Sequence, residues 1–163
     1  MCGIVGAVAE RNITAVLVEG LKRLEYRGYD SAGVALLNDQ GELHRSRRVG
    51  KVSELEAALS QEPLAGRLGI AHTRWATHGA PTTSNAHPHA TAEVALVHNG
   101  IIENFKPLRE DLISRGRHFD SETDTEVVAH LVSELVEQGA SPHDAVAQVL
   151  PRLHGAFALA ILF

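Results

Sequence analysis

Met1-Cys2-Gly3-Ile4-Val5-Gly6-Ala7-Val8-Ala9 opens the sequence. From Gly3 onward the run is apolar with two glycines, the pattern of a short buried strand. The only cysteine of the chain stands directly before it. A single cysteine excludes an intrachain disulfide and suits a reducing compartment, so a cytoplasmic protein is expected. Such a residue can simply fill the core. Position 2 offers a second role, because small side chains behind an initiator methionine permit its removal and would leave Cys2 with a free α-amine. A thiol attacks as its thiolate and needs a base. An α-amine, with a reference pKa of about 7.7–8.0, can serve without any histidine. Position alone leaves the core residue and the nucleophile equally open.

Outward from this strand, Asn12 can cap a helix over about 13–26, where Val16, Leu17, Leu21 and Leu24 recur at helical spacing. Residues 33–37 and 42–49 read as strands joined by the turn-rich Asn38-Asp39-Gln40-Gly41. Within the second strand, Leu43-His44-Arg45-Ser46-Arg47 alternates as if one face were solvated. Ser53 and Glu56 have capping-box spacing and open a helix to about Ser60. Further strands are expected at 68–73 and 94–98. The stretch from Arg74 to Thr91 between them has no periodicity, and long loops of this kind are often functional. Helices follow at about 105–115, 124–138 and 142–153, with Gly139 as a stop and Ser141-Pro142 as an N-cap and first-turn pair. Ala156 to Phe163 is a wholly apolar strand with no turn after it, so the chain is expected to be the front part of a longer protein. Strands with mixed connections and several helices make the expected class α+β, with 1–163 as one domain.

Composition narrows the function. At 163 residues, with 44% apolar and 21% charged residues, the chain can bury one real core. No apolar run approaches the roughly 20 residues that span a bilayer, and no export signal precedes the first strand. A net charge of −5 argues against a general nucleic-acid binder, which needs a basic face.

Several segments together point to a family. Met1-Cys2-Gly3-Ile4-Val5-Gly6 resembles the opening of class II glutamine amidotransferases. Glu25 to Gly33 (EYRGYDSAG), His72 to Gly79 (HTRWATHG) and Asn85-Ala86-His87-Pro88-His89 resemble one branch more narrowly, in which the glutaminase feeds ammonia to a sugar isomerase acting on fructose 6-phosphate. Val97 to Asn104 (VHNGIIEN) and Ser121 to Glu126 (SETDTE) complete the match, in order along essentially the whole chain.

The resemblance implies the Ntn-hydrolase fold, a four-layer αββα sandwich that is expected to be incomplete at its C-terminus here. It implies L-glutamine as substrate, Cys2 as the attacking thiol, and no cofactor. Arg74 would clamp the substrate carboxylate, because a guanidinium offers paired donors in a planar fork, helped by Thr77 and His78. Asp124 would meet the substrate ammonium, although an Asp opening a helix also serves as a cap. Asn99 and Gly100 would form an oxyanion hole, although Asn-Gly alone is the strongest short hairpin signal. Arg27 and Gly28 would position the N-terminus, and Trp75 would belong to a loop closing over glutamine. The sugar isomerase module would lie beyond the chain, and any oligomer would form through it. Another Ntn amidotransferase, phosphoribosyl-pyrophosphate-dependent or asparagine-forming, and a glutamine-binding fragment without turnover remain as alternatives. His72, His78, His87, His89 and His98 invite a zinc test, but no cysteine accompanies them and no helical pair is spaced for it, so no metal is expected.

Overall fold

The structure, a computed structural model, describes residues 2–163. Met1, and with it the expected processing of the N-terminus, lies outside the described residues. Strands are β1 (Gly3–Val8), β2 (Ser31–Leu37), β3 (Leu43–Val49), β4 (Leu68–Arg74), β5 (His89–Ala90), β6 (Ala95–Gly100) and β7 (Phe157–Leu162). Helices are α1 (Thr14–Leu24), α2 (Val52–Gln61), α3 (Phe105–Ser114), α4 (Thr125–Glu137) and α5 (Pro142–Val149). The strands form two antiparallel sheets, ordered β1-β4-β2-β3 and β5-β6-β7.

The layering follows from the two-residue period of a strand, which sends alternate side chains to opposite faces. Ala32, Val34 and Leu36 of β2 and Ala71 of β4 pack against Leu17 and Leu21 of α1 and Val52 and Leu55 of α2. The intervening residues, Ala35 on β2 and Ile70 on β4, meet Ala95 and Val97 of β6 and Leu162 of β7 in a seam between the sheets. On the far side, Leu96 packs with Leu112 of α3, Val127, Val128 and Leu131 of α4, and Val149 of α5. The order is helix, sheet, sheet, helix, as the family resemblance implied. No helix among the described residues is long and apolar enough to cross a membrane.

Most elements fall where periodicity puts them, and the differences have local causes. Asn12 acts one residue ahead of the α1 cap position: its Oδ1 accepts from the Thr14 amide at 3.1 Å, the Thr14 hydroxyl at 2.8 Å and the Gly66 amide at 3.3 Å. It therefore ties the helix start to a distant loop. The expected capping box at Ser53 and Glu56 does not form. Helix α2 begins at Val52, and its amide donates to the Tyr29 hydroxyl at 2.8 Å, so the cap comes from another segment. Asn99-Gly100 is no hairpin turn: it ends β6, opposite Ala158 and Phe157 of β7.

Strand β3 has exposed positions, as its alternation suggests, but two of its arginines carry their head groups to the loop before β5. Arg47 Nη1 donates to the carbonyls of Ala86 at 2.9 Å and Ser84 at 3.1 Å, and Arg45 Nη1 donates to Pro88 at 3.1 Å. Burial, with Arg45 nearby, lowers the Arg47 pKa to about 10, so it stays charged at neutral pH. Gly33, next to it on β2, has no room for a side chain, since a Cβ there would collide with the His87 carbonyl oxygen. Hydrogen bonds to a charged donor are worth about 1.5–3 kcal/mol. Replacing Arg47 with Leu should therefore lower unfolding stability by about 2 kcal/mol, read as a fall in the denaturant midpoint at unchanged slope. A loss within about 0.5 kcal/mol, the usual range for a surface substitution, would contradict the anchoring role.

Candidate active site

Strand parity assembles the site. In β4 the seam-facing positions after Ile70 are His72 and Arg74, and in β6 those after Ala95 and Val97 end at Asn99. Cys2 shares the parity of Ile4, which packs into the same seam. Because β1 runs antiparallel to β4, with Gly3 opposite Thr73, the start of β1 lies beside the end of β4. The seam is apolar along most of its length and polar where these strands terminate.

Cys2 is half-buried. Its Sγ accepts from the Trp75 amide at 3.2 Å and lies 3.5 Å from the Trp75 carbonyl oxygen. One narrow cleft is lined by Cys2, Arg74, Trp75, Thr77, His78, Gly100 and Asp124. Asn99 reaches the same place from β6, donating through Nδ2 to the Cys2 carbonyl at 3.3 Å. The structure thus brings together eight of the expected site residues. Gly28 sits just outside. Its φ is +73°, and the Trp75 ring occupies the space a side chain would take, 2.9 Å from a Cβ placed there. Arg27 is turned toward Tyr26, donating to its hydroxyl at 3.1 Å and lying over its ring.

Two residues depart from the simplest expectations. Asp124 stands at the start of α4 but makes no side-chain cap. Its Oδ2 instead accepts from the Ile102 amide at 2.8 Å, joining the helix start to the segment after β6. Arg74 is buried, and its donors are engaged: Nη2 donates to the carbonyls of His78 and Gly79 (3.2 Å for the latter) and Nη1 to Ala80 at 3.3 Å. Asp30 lies 3.6 Å from it and accepts from the Ala76 amide at 2.5 Å. This second contact makes Asp30 a holder of the 74–76 turn. Nothing in the local sequence Tyr29-Asp30-Ser31 signals this role.

Buried histidines pack at and behind the cleft, His87 and His98 lining it. His87 Nε2 and His98 Nδ1 converge on the Thr125 hydroxyl at 2.8 and 2.9 Å, and His89 Nε2 meets the Thr123 hydroxyl at 3.0 Å. His72 Nε2 lies 2.9 Å from Asn99 Oδ1. Burial lowers the pKa of His72 to about 4 and of His89 to about 3, puts His87 well below its usual value, and lowers His98 as well. All four are neutral near pH 7, each with one ring nitrogen on a hydroxyl or an amide.

This combination, a face-to-face sandwich with a near-terminal cysteine at the strand ends, defines an N-terminal-nucleophile amidotransferase fold. The chain belongs to the glutamine amidotransferase domain family, whose model matches residues 72–163. It is 64% identical to the glutamine–fructose-6-phosphate aminotransferase (isomerizing) of Pseudomonas putida, over 99% of this chain and 27% of that protein. It is 60% identical to the enzyme of the same name from Zymomonas mobilis, over 100% of this chain and 27% of that protein. A solved glutamine phosphoribosylpyrophosphate amidotransferase from B. subtilis, complexed with ADP and GMP, superposes with a TM-score of 0.84 at 26% identity. That match covers 99% of this chain and 35% of the other. The chain thus spans about a quarter of the length of the curated relatives it matches.

The buried histidines set a pH dependence. The unfolded chain protonates them near 6.5, whereas the folded chain holds His72 and His89 neutral down to about 4 and 3. Between these values the unfolded state binds more protons. Their contribution is therefore complete above about pH 6.5 and is lost as pH falls through that window. Each such histidine adds a slope of up to about 1.4 kcal/mol per pH unit. Urea midpoints should fall from about pH 6.5 to 5 and fall less in His89→Gln. A flat profile would contradict the buried neutral assignment.

Proposed function

We propose that the chain hydrolyses L-glutamine to glutamate and ammonia through a thioester on Cys2. The observation that carries this is the convergence of Cys2, Arg74, Asn99, Gly100 and Asp124 on one cleft at the strand ends. Once Met1 is removed, the Cys2 α-amine takes the thiol proton. The thiolate attacks the side-chain amide carbon, and charge develops on the former carbonyl oxygen. Asn99 Nδ2–H and the Gly100 amide would meet that charge, and such donors act mainly in the transition state. The α-ammonium returns its proton to the leaving nitrogen, and ammonia departs. Water then attacks the γ-glutamyl thioester, releasing glutamate and the free thiol.

Arg74, with Thr77 and His78 beside it, would hold the substrate carboxylate, and Asp124 the ammonium. The Arg74 donors already rest on loop carbonyls. A carboxylate that takes these Nη donors would displace one or more of the carbonyls of 78–80, which would couple binding to movement of that segment. Trp75 lies shortly before that segment and would move with it, with Gly28 leaving room for its ring. Arg27 would help orient the N-terminus. The mechanism needs no cofactor or metal.

The curated relatives favour one setting. There, a sugar isomerase module beyond the chain would take the ammonia and convert fructose 6-phosphate to glucosamine 6-phosphate, as in a cytoplasmic glucosamine-6-phosphate synthase, and oligomers would form through that module. Identity of 64% to a glutamine–fructose-6-phosphate aminotransferase, against 26% to the phosphoribosylpyrophosphate enzyme, supports this over the other amidotransferases.

The roles separate in kinetics. Asn99→Ala should lower kcat about a hundredfold, since loss of one oxyanion donor costs about 3 kcal/mol, with little change in KM. Arg74→Ala should chiefly raise KM. Cys2→Ala, or a terminus with Met1 retained, should abolish turnover and labelling of Cys2 by a glutamine-like electrophile such as diazo-oxo-norleucine. Turnover by material whose mass shows Met1 retained would sink the proposal. So would equal losses of kcat and KM in both substitutions.

A further inference from the structure

A primary amide can sit either way round in its cavity, and the two orientations oppose each other electrically. With NH2 toward the nucleophile, Asn99 can stabilise a developing oxyanion. Reversed, it presents a carbonyl oxygen and repels that charge. The bond that Asn99 Nδ2 makes to the Cys2 carbonyl uses one of its two hydrogens, but at 3.3 Å it is long and cannot by itself fix the amide. The shorter contact lies on the other side, 2.9 Å from Oδ1 to His72 Nε2. With Oδ1 as acceptor there, the ring must carry its hydrogen on Nε2. His72 is fully buried on β4, which pairs on both sides, with Ile4 and Gly33 as its cross-strand neighbours. Its ring lies against His87, centroids 4.4 Å apart, and His87 is fixed in turn by Thr125. The donor is thus held on a rigid strand against a second ring, which is the support that precise positioning needs.

We propose that His72 is a positioning residue for the reaction: its Nε2–H holds the Asn99 oxygen and thereby aims the Asn99 NH2 at the reacting carbonyl. Burial, which lowers the His72 pKa to about 4, keeps the ring in the neutral form at working pH. Its bond toward the site runs to Asn99 Oδ1, so it acts through Asn99. The inference rests on Asn99 serving as an oxyanion donor.

The test uses initial rates of glutamine hydrolysis by the complete gene product with its N-terminal Cys2 exposed. Gln places an amide NH2 near the position of Nε2, whereas Asn is too short and Leu has no donor. His72→Leu and His72→Asn should lower kcat roughly tenfold or more with KM within about twofold, and His72→Gln should restore most of it. In an Asn99→Ala background, His72→Leu should cost less than about twofold, because the group through which it acts is gone. Alkylation of Cys2 by iodoacetamide, which needs no oxyanion donor, should proceed at the same rate in the three single His72 variants as in the unaltered protein. Should the Leu variant not fold, the contrast between Gln and Asn carries the test alone. Equal kcat losses with Gln and Asn, or losses that multiply in the double variant, overturn the positioning role and leave Asn99 untouched. A normal kcat in Asn99→Ala overturns the oxyanion assignment itself, and the positioning role falls with it.

Discussion

Two sheets packed face to face stand about 10 Å apart, and every side chain entering that gap must suit both walls. Here the gap is filled by small and medium apolar residues, Ala35, Ile70, Ala95, Val97 and Leu162, until the strands approach their ends. There the same faces continue as His72 and Arg74 on one wall and Asn99 on the other. Period two leaves no choice in the matter. A one-residue slip of β4 would turn Arg74 and His72 into the helix layer and bring Ala71 and Thr73 to the seam. The pairing of Ile4 with His72 and of Gly33 with His72 is therefore as much a property of the site as of the fold.

The irregular stretch after β4 carries the second burden. Its residues from Asn85 to His89 are buried, so their backbone polar groups need partners that no sheet supplies. Arg45 and Arg47 reach up from β3 to the carbonyls of 84, 86 and 88. Asn85 pairs with Glu122, donating to its carboxylate at 3.0 Å and accepting from its amide at 2.8 Å. By contrast, the exposed residues Trp75 and Thr77 sit between these anchors and Cys2. The loop is thus buried and pinned at its far end, while beside the thiol these two side chains are exposed and the backbone is held by Cys2, Asp30 and Arg74.

Secondary structure was largely legible because helices α1, α4 and α5 and strands β2 and β4 carry clean periodicity. The residues that meet at the cleft were legible too, but chiefly through the order of several short motifs. Taken singly, Asp124 looked like a cap and Asn99-Gly100 like a turn, and only the fold distinguishes these. Long-range donors were not legible. Nothing local says that Tyr29 caps α2, or that arginines alternating on β3 face inward to a loop some forty residues away. Nor could spacing show that the histidines solvate one another's surroundings through Thr123 and Thr125. Such contacts depend on tertiary placement, which a single sequence encodes without displaying.

The indole of Trp75, the only one in the chain, is half exposed, lies on Gly28 and has its backbone amide on the Cys2 sulfur. Tryptophan emission shifts to shorter wavelength as water leaves the ring. In this chain, therefore, intrinsic fluorescence is not an average over the fold. It is an optical signal from one turn of one loop, present without any label, and its colour follows the hydration of a ring whose own backbone amide rests on the thiol.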